Sequence, residues 1–143
     1  MIFRAQERDR WLEFSAKFKR YFAIVTLALA LVHCVLETAY TVIVGQNFLG
    51  YLSDCIADIL LVAGACLFIK NNRSTGVLCG AWGFFFCLYY RTWGWRFEDF
   101  MVGTLNEVQT GIMYLLAPTM IISLTCFSIT MMMNIRPSRR DMN

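Results

Sequence analysis

Four apolar runs occupy most of this 143-residue chain: about Tyr21 to Val44, Phe48 to Ile69, Thr75 to Trp95 and Thr110 to Met133. Each is near the ~20 residues a helix needs to cross a ~30 Å hydrocarbon layer. Lipid offers no partner for backbone N–H and C=O groups, so runs of this kind are predicted to be helices that satisfy those groups internally. Between them lie only Gly45-Gln46-Asn47, Lys70 to Ser74 and Arg96 to Gln109, which leaves no room for a soluble domain. Short connections make successive helices antiparallel neighbours. The predicted fold is an all-α, integral membrane four-helix bundle of up-down-up-down topology. The composition agrees, with 58% hydrophobic and 16% charged residues and a mean hydropathy of +0.53.

The positive charges are segregated. Eleven of the thirteen Lys and Arg residues fall before the first run (Arg4, Arg8, Arg10, Lys17, Lys19, Arg20), in the second connection (Lys70, Arg73) or after the last run (Arg136, Arg139, Arg140). A four-span chain puts these three regions on one side, and the positive-inside rule makes that side the cytosol. Both termini are therefore expected there, in the endoplasmic reticulum of a eukaryote or the inner membrane of a bacterium. The other side keeps Arg91 and Arg96 beside Glu98, Asp99 and Glu107, with Tyr89, Tyr90, Trp93 and Trp95 as an interfacial belt. Within residues 1–20, Phe3, Trp11, Phe14 and Phe18 recur near helical spacing among charges. That pattern suits an amphipathic helix lying on cytosolic headgroups, and equally a plain charged helical extension. The bundle itself is expected over 21–133 and a basic anchoring tail over 134–143. A net charge of +3 distributed in this way implies no nucleic-acid partner. No cleavable signal peptide is expected, because the first twenty residues are charged and the run that follows is too long for an h-region.

Small residues gather at Ala63-Gly64-Ala65 and again at Gly76, Gly80, Ala81 and Gly83, where they let helix backbones approach closely. They predict packing inside the bundle. The alternative is a seam through Gly76, Gly80 and Gly83 toward a second copy or a larger membrane complex. Pro118 interrupts the last run and should release the carbonyl of Tyr114, kinking the helix or opening it toward a cavity. The six cysteines lie in apolar runs without C-x-x-C or Cys/His spacing and are read as packing residues. Soluble-enzyme motifs such as G-x-S-x-G, the P-loop and the dinucleotide fingerprint do not occur.

Four ionisable side chains stand where a bilayer tolerates them least. His33 and Glu37 lie in the first run, Asp54 and Asp58 in the second, each pair spaced i, i+4 on one helix face. A charge at membrane depth costs roughly 2.5–3.5 kcal/mol on insertion scales, so such groups face a cavity, a partner or a ligand. At ~1.5 Å per residue, Glu37 and Asp54 lie about 10 Å from the non-cytosolic ends of their helices, and His33 and Asp58 about 15 Å. A tight hairpin then sets Glu37 opposite Asp54 and His33 opposite Asp58. Neighbouring carboxylates in low dielectric cannot both ionise cheaply, so a shared proton or a cation is expected between them. Arg91 is a candidate counter-ion for Glu37 or Asp54. With walls from Tyr89, Tyr90 and Tyr114, the outer half of the bundle is predicted to hold a polar, net acidic pocket. Ion pairs that merely fix helix register would leave the same pattern. One histidine among three carboxylates is a poor donor set, and neither a metal nor a cofactor is expected.

The stretch Leu31-Val32-His33-Cys34-Val35-Leu36-Glu37-Thr38-Ala39-Tyr40 resembles the H-x-x-x-E segment of the EXPERA family. Phe97-Glu98-Asp99-Phe100, followed by a last span with an internal proline, is a further likeness. The resemblance implies a four-helix membrane bundle that binds sterols or lipophilic amines through buried acids. It also implies catalytic roles for His33 and Glu37, with Asp54 or Asp58 resembling the acid of the next helix, in moving a proton as a double bond migrates. The leading expectation is therefore a pocket for a membrane lipid, a sterol-like molecule or a cationic amphiphile, with Asp54, Arg91, Tyr89, Tyr90 and Tyr114 binding the ligand. If the protein is an enzyme, it is an isomerase using Glu37, His33 and Asp58. The residues leave open two other classes: a non-catalytic accessory subunit of a larger membrane complex, and a proton- or cation-coupled transporter.

Overall fold

A computed structural model describes residues 14–70 and 75–135, and among them finds four helices and no strand. We number them α1 (Ala16–Val44), α2 (Phe48–Lys70), α3 (Thr75–Val102) and α4 (Glu107–Ile135). Most of the expected interfacial helix (1–13) and nearly all of the basic tail (136–143) lie outside the described residues. Three of the helices, α1 from Lys17 onward, α2 and α4, are long and apolar enough to cross a membrane.

Each helix end has a chemical cause. Ser15 accepts a hydrogen bond from the Phe18 N–H at 3.2 Å, so α1 starts five residues before the apolar run and carries Lys17, Lys19 and Arg20 in its opening turns. Gly45 ends α1 at φ 81°, a left-handed conformation that suits a residue without Cβ, and its N–H bonds to the Thr41 carbonyl. Asn47 then accepts from the Leu49 N–H at the start of α2.

The connection expected over Arg96 to Gln109 is far shorter in the structure. Helix α3 continues to Val102 and α4 begins at Glu107. Gly103, at φ 76°, and the bond from the Thr104 N–H to the Asp99 carbonyl close α3. Asn106 and Gln109 exchange side-chain and backbone bonds of 2.9 and 3.0 Å, a reciprocal cap that opens α4. Helix α4 runs through Pro118 without a break.

Each helix packs on the next in sequence, whereas α1 and α4 make no close backbone approach. Along the α1–α2 seam, residues 33 and 38 meet 58 and 51, so numbers rise on one helix as they fall on its neighbour. The α3–α4 seam behaves alike, with Thr75 bonded to Asn134 and Phe100 against Tyr114. Leu61, Ala65, Phe68, Leu78, Ala81 and Trp82 form the buried centre where α2 meets α3.

Two of the expected close approaches are present and two are not. A methyl group built on Gly64 would lie 3.0 Å from the Leu78 Cα, and one on Gly83 would lie 3.0 Å from the Phe127 ring. On Gly80 it would meet nothing within 4 Å, and on Gly76 only Asn134 Oδ1 at 4.0 Å. The internal packing expected of Gly76 and Gly80 is thus corrected: this stripe lies on a side of α3 that no neighbouring helix crowds, and Gly64 and Gly83 make the contacts instead.

Candidate functional site

The site is built on a ladder between α1 and α3, which run in the same sense. Three rungs join residues 56 apart in sequence: Trp82 Nε1 donates to Thr26 Oγ1 at 3.3 Å, His33 packs edgewise on Tyr89, and Arg96 donates to Tyr40 Oη at 3.4 Å. On both helices the rungs are seven residues apart, the repeat that keeps one face of a supercoiled helix turned to its partner. One rung is therefore about 10 Å from the next. Large side chains fill the gap: Phe85 lies tilted against Tyr89 at 4.7 Å and meets Trp82 edgewise at 5.7 Å between ring centres.

His33 occupies the middle rung with only 11% of its side chain exposed. Its Nδ1 lies 2.8 Å from Oδ1 of Asp58, a residue 6% exposed, and its Nε2 lies 3.6 Å from Oε1 of Glu37, too far for a hydrogen bond. Nε2 is buried and has no hydrogen-bond partner among the described residues. The α1–α2 register that joins His33 to Asp58 sets Asp54 one turn further along, level with Glu37. Asp54 accepts from Gln46 Nε2 at 3.2 Å, and Gln46 Oε1 accepts from Thr41, which ties the acid to the hairpin loop.

A cavity of about 460 Å³ opens beside this ladder, in the space where α1 and α4 stay apart. Its size falls within the range of small-molecule pockets. At one end lie Leu29, Leu61, Trp82 and Phe85; in the middle His33, Glu37, Asp54 and Tyr89; toward the loops Tyr40, Gln46, Thr92 and Arg96. Helix α4 closes one wall with Leu115, Leu116, Thr119 and Ile122, the turns on either side of Pro118. The cavity is thus apolar at one end and polar at the other.

The structure brings together four of the eight residues singled out in the sequence as cavity lining, His33, Glu37, Asp54 and Tyr89, with Asp58 directly behind His33. Three do not line the cavity. Arg91 stacks on the Trp95 ring at 4.3 Å outside the cavity, Tyr90 is 59% exposed, and Tyr114 is 63% exposed against Phe100. Sequence reasoning missed Thr26, Tyr40, Trp82 and Arg96, although their recurrence every seven residues alongside His33 and Tyr89 was the signal that marks one face. Among the described residues no three His, Cys, Asp or Glu side chains are grouped so as to hold a metal ion. No family model matches the chain, nor does any curated protein or solved structure.

Proposed function

We propose that the protein is a multi-pass membrane protein, an up-down-up-down bundle with both termini in the cytosol, whose cavity binds a sterol-like or cationic lipophilic ligand. The single observation that carries this reading is a cavity lined by apolar and aromatic side chains together with Glu37, Asp54 and His33, on helices long and apolar enough to cross a membrane. Ionisable groups at membrane depth are costly unless a partner or ligand meets them. Asp58 is already committed to His33, so Glu37 and Asp54 remain for the ligand.

The same geometry suits an isomerase. Glu37 and His33 both line the cavity, so one would deliver a proton to a double bond while the other takes a proton from the allylic carbon. Atoms balance, and the ligand leaves with its composition unchanged. The carboxylate of Asp54 or Glu37 would stabilise positive charge at the intermediate carbon. The likeness of the His33 to Glu37 segment to the EXPERA family supports the same assignment.

Binding of dodecylamine to the protein in phosphatidylcholine nanodiscs tests the proposal. Glu37→Gln is expected to abolish binding, with helix content by circular dichroism unchanged. Equal affinity in the variant removes the reading.

A further inference from the structure

The loop end of the cavity holds a charge that the acidic site does not use. Arg96 is half-buried and lines the cavity, and its hydrogen bond goes to the neutral Tyr40 hydroxyl at 3.4 Å. Among the described residues no carboxylate lies within ion-pair distance of it. An arginine serving only as an interfacial anchor extends its guanidinium away from the protein into water. Arg91, stacked on the outer Trp95 and exposed, fits that description. Arg96 reaches across from α3 to α1 instead, over the cavity mouth.

We propose that Arg96 and Tyr40 form an oxyanion station, so that the ligand is an amphiphile with a carboxylate- or phosphate-type head at the loop end and its apolar body against Phe85, Trp82 and Leu61. A guanidinium offers a planar fork of donors that matches such a head in two places at once, and the tyrosine hydroxyl adds a third donor. An amine head at this level would meet like charge. The acids lie deeper, the His33–Tyr89 rung being about 10 Å from the Arg96 rung. The ligand thus carries its oxyanion at one end and a basic or hydroxyl group one rung further in. This inference rests on the reading of the cavity as a lipophile site.

The test uses the whole protein in phosphatidylcholine nanodiscs, with dodecanoate, dodecylamine and acetate as probes and empty nanodiscs as background. Arg96→Gln is expected to weaken dodecanoate about 10-fold or more, Arg96→Lys less, and Arg91→Gln not at all. Dodecylamine affinity should be unaffected by Arg96→Gln. If dodecanoate binds Arg96→Gln and Arg96→Lys as tightly as the unchanged protein while dodecylamine still depends on Glu37, the oxyanion station is overturned and the proposed function stands. If neither chain-bearing probe binds, the cavity reading falls and takes this inference with it. Acetate binding as tightly as dodecanoate would replace the amphiphile with a free anion and overturn the proposal too.

Discussion

His33 is held by two carboxylates through unequal contacts, 2.8 Å to Asp58 and 3.6 Å to Glu37. The shorter one fixes the ring and the α1–α2 register; the longer one leaves Glu37 able to turn to a ligand. Side-chain hydrogen bonds inside membranes average about 0.6 kcal/mol and reach about 1.7 in measured cycles. A short, buried bond belongs at the upper end. A double-mutant cycle on His33→Ala and Asp58→Ala, followed by unfolding in detergent, is expected to give a coupling of about 1–2 kcal/mol, against about 0.5 or less for His33 with Glu37→Ala. Coupling to Glu37 equal to that with Asp58 would reverse the two roles. The His33–Asp58 pair was legible in the sequence because two i, i+4 pairs on either side of a three-residue loop determine depth and pairing together. Helix face was harder to read. Arg91 and Tyr90 share the depth of Tyr89 but sit about 200° and 100° around α3 from it, whereas Arg96, seven residues on, returns to within about 20° of the same face. Depth alone favoured Arg91, which lies outside the cavity.

At the level of elements, close helix contact depends on where small residues lie and not on how many there are. A Cβ at Gly64 would press on the backbone of Leu78, at 3.0 Å from its Cα and 3.2 Å from its N, and backbone cannot yield as a side-chain tip can. Gly64→Ala therefore has to push α2 and α3 apart at the centre of the core, at a cost of about 1–3 kcal/mol. Gly80→Ala fills open space in a helix interior and is expected to be neutral or to stabilise by up to about 1 kcal/mol. Thermal unfolding of the two variants in one detergent separates them, and equal shifts would show that the α2–α3 contact does not depend on Gly64. The existence of four helices and their order were legible from hydropathy, since long apolar runs leave few alternatives. Their ends were not, because hydropathy falls at the interface while the backbone stays helical. Trp93 stacks on Phe97 at 5.0 Å within α3, past the point where the apolar run ends. The stop at Gly103 and the Asn106-x-x-Gln109 start are cap signals, readable only by looking for backbone chemistry and not for apolarity.

On the scale of the whole molecule, all four helices turn large apolar side chains outward: Val35, Val42 and Ile43 on α1, Ile59 on α2, Met101 on α3, Ile121 and Ile135 on α4, all more than half exposed. Soluble monomers rarely expose contiguous apolar patches beyond a few hundred Å², so acyl chains are the solvent that suits this surface. Under the proposed membrane setting α1 and α4 can stand apart, since nothing in a bilayer drives that gap to close as water would. The contact ladders place the Gly45 to Asn47 and Gly103 to Asn106 connections at one end of the bundle, with Lys17, Lys19, Arg20 and Lys70 at the other. Under the proposed topology the positive-inside rule would place the loop end, and Arg96 with it, on the non-cytosolic face. This orientation is tested in a variant whose six cysteines, none of them in a disulfide, are replaced by alanine. A membrane-impermeant maleimide added to sealed cells or right-side-out vesicles is expected to label Asn47→Cys and Thr104→Cys, and to label Ser138→Cys only after the membrane is permeabilised. The opposite pattern inverts the bundle and moves the cavity mouth to the cytosol. Labelling of Asn47→Cys and Ser138→Cys from the same side would mean that the chain does not cross the bilayer four times.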